Sequence, residues 1–196
     1  MIKMPEIYVG VKFKTIFLKK EVPKGKLNKK LIEIGKKIAK YELNGNMGWG
    51  NISYRFENGF VINATKENIG HLDEKKLVFV KSVDWKKKCV KGIGLKEPSS
   101  ECFMHAAAYE LRKDVNVVLH LHDDLVLKHA KELGIKETIN EKPYGTIELA
   151  EEIKKVLGMR NCVAIKNHGI LALGKNIREA FDLALKMHKK SEELKK

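Results

Sequence analysis

The segment VNVVLHLHDD, Val115 to Asp124, reads as a buried strand running into a helix cap. Along a strand, alternate side chains share a face, so His120 and His122 project together with Asn116 and Val118. Val115, Val117, Leu119 and Leu121 point into the other layer. Asp123 or Asp124 caps a helix that ends before Gly134. Upstream, a helix is expected from Ser99 or Ser100 to about Lys113. A strand held between two helices predicts an α/β domain, with two imidazoles presented at the end of one strand.

Working outward, residues 6 to 18 alternate as a strand, and Leu27 to Leu43 repeats apolar residues at helical spacing. Ile52–Phe56 and Phe60–Asn63 form a hairpin across Glu57-Asn58-Gly59. Leu77–Val83 and Cys89–Ile93 are two further strands. Thr146 caps a helix that stops at Gly158, and Cys162–Lys166 and Ile170–Leu173 flank the turn Asn167-His168-Gly169. Asn176 followed by Glu179 resembles a capping box that opens the last helix. The hairpin signals favour a mixed, mostly antiparallel sheet.

The chain has 196 residues, 43% hydrophobic and 33% charged, which is the size of one domain over residues 1 to 196. No apolar run approaches the ~20 residues that span a bilayer. The amino terminus lacks a signal-peptide core, which predicts a cytoplasmic protein. Cys89, Cys102 and Cys162 have no paired or metal-type spacing, so no disulfide scaffold is expected.

The net charge of +14 sits mostly in residues 1 to 98, with 22 Lys+Arg against 10 Asp+Glu. Only 4 of the 39 basic residues are arginine, and glutamine is absent. Sequence-specific nucleic-acid readers lean on arginine, whereas a Lys/Glu-rich surface is typical of hyperthermophiles. The reading is therefore a solvated thermophile surface. It can also draw in an anionic substrate, and nucleic acid is not expected as a partner.

Two imidazoles on one strand face can grip a single metal ion, or can be two ordinary histidines. His168, on its tight turn, can converge on the same place. Three histidines leave a coordination position open, as in catalytic rather than structural zinc sites. Glu101 is either a favourable charge at a helix start or a proton carrier beside the metal. Ser99, Ser100 and the exposed N–H groups there suit an anion such as phosphate. The glycine turn Gly45 to Asn51 follows a helix and precedes a strand, the reverse of a dinucleotide fingerprint; a backbone nest for one phosphate survives. His71 and His129 lack a companion ligand, His188 lies on the last helix and His105 sits one helical turn after Glu101; all four read as structural.

These pieces, in this order, resemble the class II aldolase/adducin family. The resemblance lies in GNMGWGNIS (Gly45 to Ser53), Pro98-Ser99-Ser100-Glu101 with Met104-His105, His120-Leu121-His122, and Asn167-His168-Gly169. It spans roughly residues 27 to 188, and residues 1 to 26 are an amino-terminal strand extension with no counterpart. It implies a three-layer α/β/α sandwich and a homotetramer. It implies one divalent ion per chain on His120, His122 and His168: zinc first, with manganese, cobalt, nickel or iron also able to fill such a site. Gly50, Asn51, Ser99 and Ser100 would contact a substrate phosphate, joined by Thr65 and Lys66 of the loop Asn63-Ala64-Thr65-Lys66. There Lys66 stands where the family has glycine, so that it either neutralises a phosphate itself or goes with a substrate that carries none. Glu101 would be the acid/base, and Tyr144 is a weaker candidate for a supplied tyrosine.

The activity so implied is aldolase-type: cleavage or formation of a carbon–carbon bond in a small phosphorylated sugar or hydroxyketone, through a metal-stabilised enediolate. The alternatives are a metal-dependent dehydratase of a ribulose phosphate of the methylthioribulose 1-phosphate type and a non-catalytic binding module.

Overall fold

The computed structural model describes residues 10–45 and 48–195. Among these, nine strands form one sheet in the order β1-β5-β4-β3-β2-β6-β9-β8-β7. They are β1 (Lys14–Lys19), β2 (Gly50–Phe56), β3 (Gly59–Asn63), β4 (Leu77–Asp84), β5 (Cys89–Gly94), β6 (Val117–Leu121), β7 (Lys136–Glu137), β8 (Cys162–Ile165) and β9 (Gly169–Gly174). The helices are α1 (Asn28–Lys40), α2 (Cys102–Leu111), α3 (Asp124–Lys128), α4 (Ile147–Leu157) and α5 (Ile177–Glu193). Only the outer pairs β1–β5 and β7–β8 are parallel; the other neighbours are antiparallel, as the hairpin signals predict.

Two apolar cores lie on opposite faces of this sheet. One joins the sheet to α2 and α4, through residues such as Ile62, Phe103, Val118, Ile153 and Leu171. The other joins it to α1, α3 and α5, through Leu31, Ile38, Leu119, Val126 and Phe181. The result is three layers, α/β/α. Helix α1 buries Leu31, Ile34 and Ile38 as one stripe, whereas α2 buries every residue from Cys102 to Tyr109. A stripe suits a helix that covers a sheet edge-on to water; burial all round suits one pressed between sheet and α4. None of the described helices is long and apolar enough to cross a membrane.

Two boundaries differ from the sequence expectation. The amino-terminal strand was expected over residues 6 to 18, of which 6 to 9 lie outside the described residues; the observed strand is Lys14–Lys19. Its first ladder bond runs from Lys14 N–H to Lys88 C=O, and its partner β5 begins only at Cys89, so residues 10 to 13 lie beyond the end of that ladder. Phe13 instead packs its ring 5.1 Å from Phe103. Helix α2 starts at Cys102, not at Ser99 or Ser100, and neither serine is its cap. The preceding segment is tied to β3, by the Ala64–Pro98 bridge and by Ser99 N–H to Asn63 C=O at 3.0 Å. That tether holds Ser99-Ser100-Glu101 as a turn, with the Glu101 N–H donating to Ser99 Oγ at 3.3 Å. The other predicted caps form: Asp123, Thr146 and Asn176 each accept the backbone N–H three residues on, in the first turn of the next helix.

Candidate metal centre and active site

The site lies on the α2/α4 face of the sheet. Strand β6 sends Val117, Leu119 and Leu121 into the α1/α5 core and Val118 into the other, so His120 faces α2. Glu101 sits at the start of α2, against the end of β6. His168 arrives on the three-residue turn between β8 and β9, closed by His168 N–H to Ile165 C=O at 2.9 Å. The turn comes so close to β6 that a Cβ on Gly169 would stand 2.5 Å from Leu121 C=O and 3.2 Å from His120 Cε1. Glycine is what lets the third histidine reach the first two.

One ligand atom from each of Glu101, His120, His122 and His168 lies within 4.8 Å of the others. The three imidazole centroids are 4.8 to 4.9 Å apart in every pairing. His120 Nε2 is 3.0 Å from His122 Nε2 and 3.1 Å from Glu101 Oε2; His168 Nε2 is 3.2 Å from Glu101 Oε1. Glu101 is 5% exposed and His120 fully buried.

The hydrogen-bond chemistry of this cluster calls for a cation. His120 Nδ1 lies 3.1 Å from Ile170 C=O, which can only accept, so Nδ1 carries a proton. In neutral His120, Nε2 then presents a lone pair to His122 Nε2 and to the Glu101 carboxylate. Such convergence is satisfied by a second proton on His120 or by a metal ion among the nitrogens. A carbonyl behind the ligating imidazole is the usual way a metal-binding tautomer is held. The donor set therefore fits a divalent ion.

Burial by itself would push the Glu101 carboxyl up. The charge that His120 and His168 carry when protonated, with the hydrogen bond His120 then donates and the nearness of His122, outweighs it and holds the group well below the usual carboxylate range. His122 moves the other way. Burial and then the neighbouring His120 push it down to about 3, against the pull of Glu101, so it stays neutral and able to ligate at neutral pH.

The residues expected to meet a phosphate lie around this centre. Gly50 has φ of +135°, and a Cβ there would stand 2.6 Å from His120 C=O. Ser99 and Ser100 are buried. The loop that carries Thr65 and Lys66 runs beside them, tied by Thr65 N–H to Glu97 C=O at 3.0 Å. Lys66 adopts φ of +61°, so it takes the left-handed backbone that glycine would give this loop. Asn51 behaves differently. It stands directly across from His120 in the β2–β6 ladder, and its side-chain N–H donates to Glu101 Oε2 at 2.9 Å. Tyr144 packs against the amino-terminal segment, its ring 3.9 Å below Lys12 Nζ and its hydroxyl donating to Gly10 C=O at 3.3 Å. Its neighbour Gly145 abuts Ser100, where a Cβ would stand 2.5 Å from Ser100 C=O.

Two features were not anticipated. His105, read as structural, is fully buried and contacts Asn51 Oδ1 through Nε2 and Ser53 Oγ through Nδ1, the latter at 2.6 Å. His188 binds Asp123 Oδ2 at 2.7 Å and so ties α5 to the residue after His122. The first had a sequence signal: Glu101, His105 and Tyr109 recur every four residues on one helix face, and Asn51 and Ser53 alternate on one strand face.

Comparison with known proteins gives a consistent result. The family model of the Class II Aldolase and Adducin N-terminal domain matches residues 29–193. The chain is 29% identical over 180 residues to the L-fuculose phosphate aldolase of Escherichia coli strain K12, covering 82% of this chain and 79% of that protein. It is 30% identical over 147 residues to the L-fuculose phosphate aldolase of Methanococcus maripaludis strain C7, covering 67% and 76%. Among solved structures, an L-fuculose 1-phosphate aldolase superposes with a TM-score of 0.73 at 24% identity, over 88% of this chain and 86% of that one. A sugar-phosphate aldolase from Thermotoga maritima gives 0.70 at 20% identity, over 84% and 91%. With a match across most of its length and its donor set in place, the chain belongs to the class II aldolase and adducin N-terminal domain family.

Proposed function

We propose that this protein is a divalent-metal-dependent lyase of the aldolase type, acting on a small phosphorylated sugar or hydroxyketone. The observation that carries the reading is the convergence of the His120, His122 and His168 nitrogens beside a buried, ionised Glu101. His120, His122 and His168 hold the ion, zinc in the first instance. Once bound, it supplies Lewis acidity toward the oxygens of a hydroxyketone.

The chain's own residues do the rest. Ser99, Ser100, Thr65 and Lys66 receive the phosphate, with the Gly50 backbone beside them. This fixes the reacting carbon near Glu101 Oε1 and Oε2. In the cleavage direction, the hydroxyl that becomes the aldehyde gives up a proton as the carbon–carbon bond breaks, and the carbon that keeps the bonding pair takes one up. The ionised Glu101 carboxylate receives the first through solvent and hands it to that carbon; in synthesis it removes the proton from the same carbon. Asn51 holds Glu101 in place and is not assigned to the phosphate. The activity of these relatives makes L-fuculose 1-phosphate the first substrate to try. Residues 1 to 196 act as one catalytic domain, in a cytoplasmic homotetramer of a heat-adapted cell. That part of the proposal is supported by the family resemblance and the Lys/Glu-rich, glutamine-free composition.

The test is metal content per chain in untagged protein, beside a His120→Ala/His122→Ala variant, followed by a panel of ketose 1-phosphates assayed for released aldehyde. About one ion per parent chain, none in the variant, and aldehyde release support the lyase. Loss of water with all carbons retained would indicate a dehydratase instead. A parent that binds neither zinc nor manganese would end the reading.

A further inference from the structure

A line of buried polar side chains runs from the α2/β2 interface into the metal centre. It passes through Tyr109, Ser53, His105, Asn51 and Glu101, and each member is at most 5% exposed. Its direction is read from the Asn51 amide, whose N–H group donates to Glu101 Oε2 at 2.9 Å and whose Oδ1 points the other way. Asn51 Oδ1 then faces His105 Nε2, and since that oxygen only accepts, Nε2 must carry the proton. Neutral His105 has no second proton, and burial followed by the nearby His120 pushes its pKa down to about 3. Nδ1 therefore accepts from the Ser53 hydroxyl at 2.6 Å, and Ser53 Oγ accepts from the Tyr109 hydroxyl at 2.8 Å. The far end is anchored: the Tyr109 ring lies 5.2 Å from that of Phe60, and the Arg55 guanidinium sits 4.7 Å over it while donating to Tyr109 C=O at 3.1 Å.

We propose that His105 is a positioning residue for Glu101: locked as the Nε2–H tautomer by Ser53 and Tyr109, it orients the Asn51 amide, which in turn sets the Glu101 carboxylate. An amide does not pass a proton along such a line, so the row holds geometry and does not conduct. With neutral His120, or with a metal on His120 Nε2, the N–H that reaches Glu101 Oε2 comes from Asn51. If Asn51 were free to flip, its oxygen would face the carboxylate and repel it. The kinetic consequence of this proposal rests on the reading of Glu101 as the proton carrier; the tautomer does not.

The experiment has two arms. Zinc-loaded full-length protein labelled with 15N-histidine is examined by long-range 1H–15N correlation at neutral pH, with His105 identified by its loss in His105→Gln. A protonated Nε2 and bare Nδ1 are expected; a protonated Nδ1 would reverse the row and overturn the proposal. In the second arm, His105→Leu and His105→Gln are compared in cleavage of L-fuculose 1-phosphate at matched zinc content. Glutamine can place an N–H where Nε2–H stood, so it should recover most of what leucine loses. The expectation for leucine is a kcat lower by about 100-fold with KM within about threefold, and for glutamine a recovery of at least about tenfold. Equal losses in both variants, or no loss in leucine, would refute positioning. If leucine does not fold, the tautomer and the glutamine variant still decide. A parent that cleaves nothing would count against the lyase reading, and the tautomer arm would then decide the orientation of Asn51 alone.

Discussion

Asn51 and His120 stand directly opposite each other on β2 and β6, and both touch the same oxygen of Glu101, Oε2, at 2.9 and 3.1 Å. Strand register thus sets the carboxylate between an amide that donates to it and an imidazole that can bind metal. A slip of one residue in this ladder would turn both side chains to the opposite face and dismantle the site.

Gly50 begins β2 in a conformation closed to other residues. Its φ is +135°, and an added Cβ would stand 2.6 Å from His120 C=O. Gly50→Ala is expected to cost about 2 to 3 kcal/mol of stability and to weaken metal binding by pushing β2 away from β6. Chemical denaturation and zinc titration measure the two effects; an unchanged midpoint would contradict the close approach.

Glu101→Gln keeps the size of the side chain and removes its charge. The expectation is a turnover lower by roughly 10²- to 10⁴-fold with the metal still bound, since three histidines remain. Turnover with the metal content of each preparation measured alongside checks this. Loss of the ion together with activity would make Glu101 chiefly a ligand.

Lys66 pays for a left-handed backbone, φ +61°, in the loop assigned to phosphate. Lys66→Gly is expected to raise stability by up to about 1 kcal/mol, because glycine adopts that conformation without strain. It should also weaken inhibition by inorganic phosphate by about fivefold through loss of the charge. Thermal melts and inhibition constants read these in opposite directions, which separates a backbone role from an electrostatic one.

His105 is buried neutral, with its pKa at about 3 against 6.5 when free. The unfolded chain therefore takes up a proton there as pH falls through 6.5, while the folded chain does not until about 3. The stability associated with neutral His105 is fully present above 6.5 and is lost progressively between those values. Chelator-treated parent protein should lose Tm more steeply than His105→Gln on going from neutral to mildly acid pH. Parallel Tm curves would contradict the burial of a neutral imidazole.

Much of the fold is local pattern. The stripe Leu31, Ile34, Ile38 makes α1, the alternation of Val117, Leu119 and Leu121 makes β6, and Asp123, Thr146 and Asn176 cap the helices expected of them. The start of α2 was misplaced because Ser99 is tied to Asn63 on a strand 36 residues earlier, and no local signal reports that bond. The short strand β7 was not expected, since two residues paired beside β8 leave no periodicity. In the site, His120, His122, His168 and Glu101 were legible as residue types at telling spacings. His105 was not, because a histidine one turn after a glutamate is equally good as a helix filler.

What the sequence alone determined was therefore the chemistry available: three imidazoles and a carboxylate, carried on a strand, a turn and a helix start. These depend on short-range spacing, which alternation and capping reveal. What only the tertiary structure decided was which polar atoms meet. Asn51 lies 50 residues from Glu101 and 54 from His105, and Ser53 lies 56 from Tyr109. Such partners are chosen by strand register and by the depth at which α2 packs on the sheet. Once water is excluded there, every buried donor must find an acceptor. That requirement turned Asn51 toward Glu101 and fixed the proton on His105.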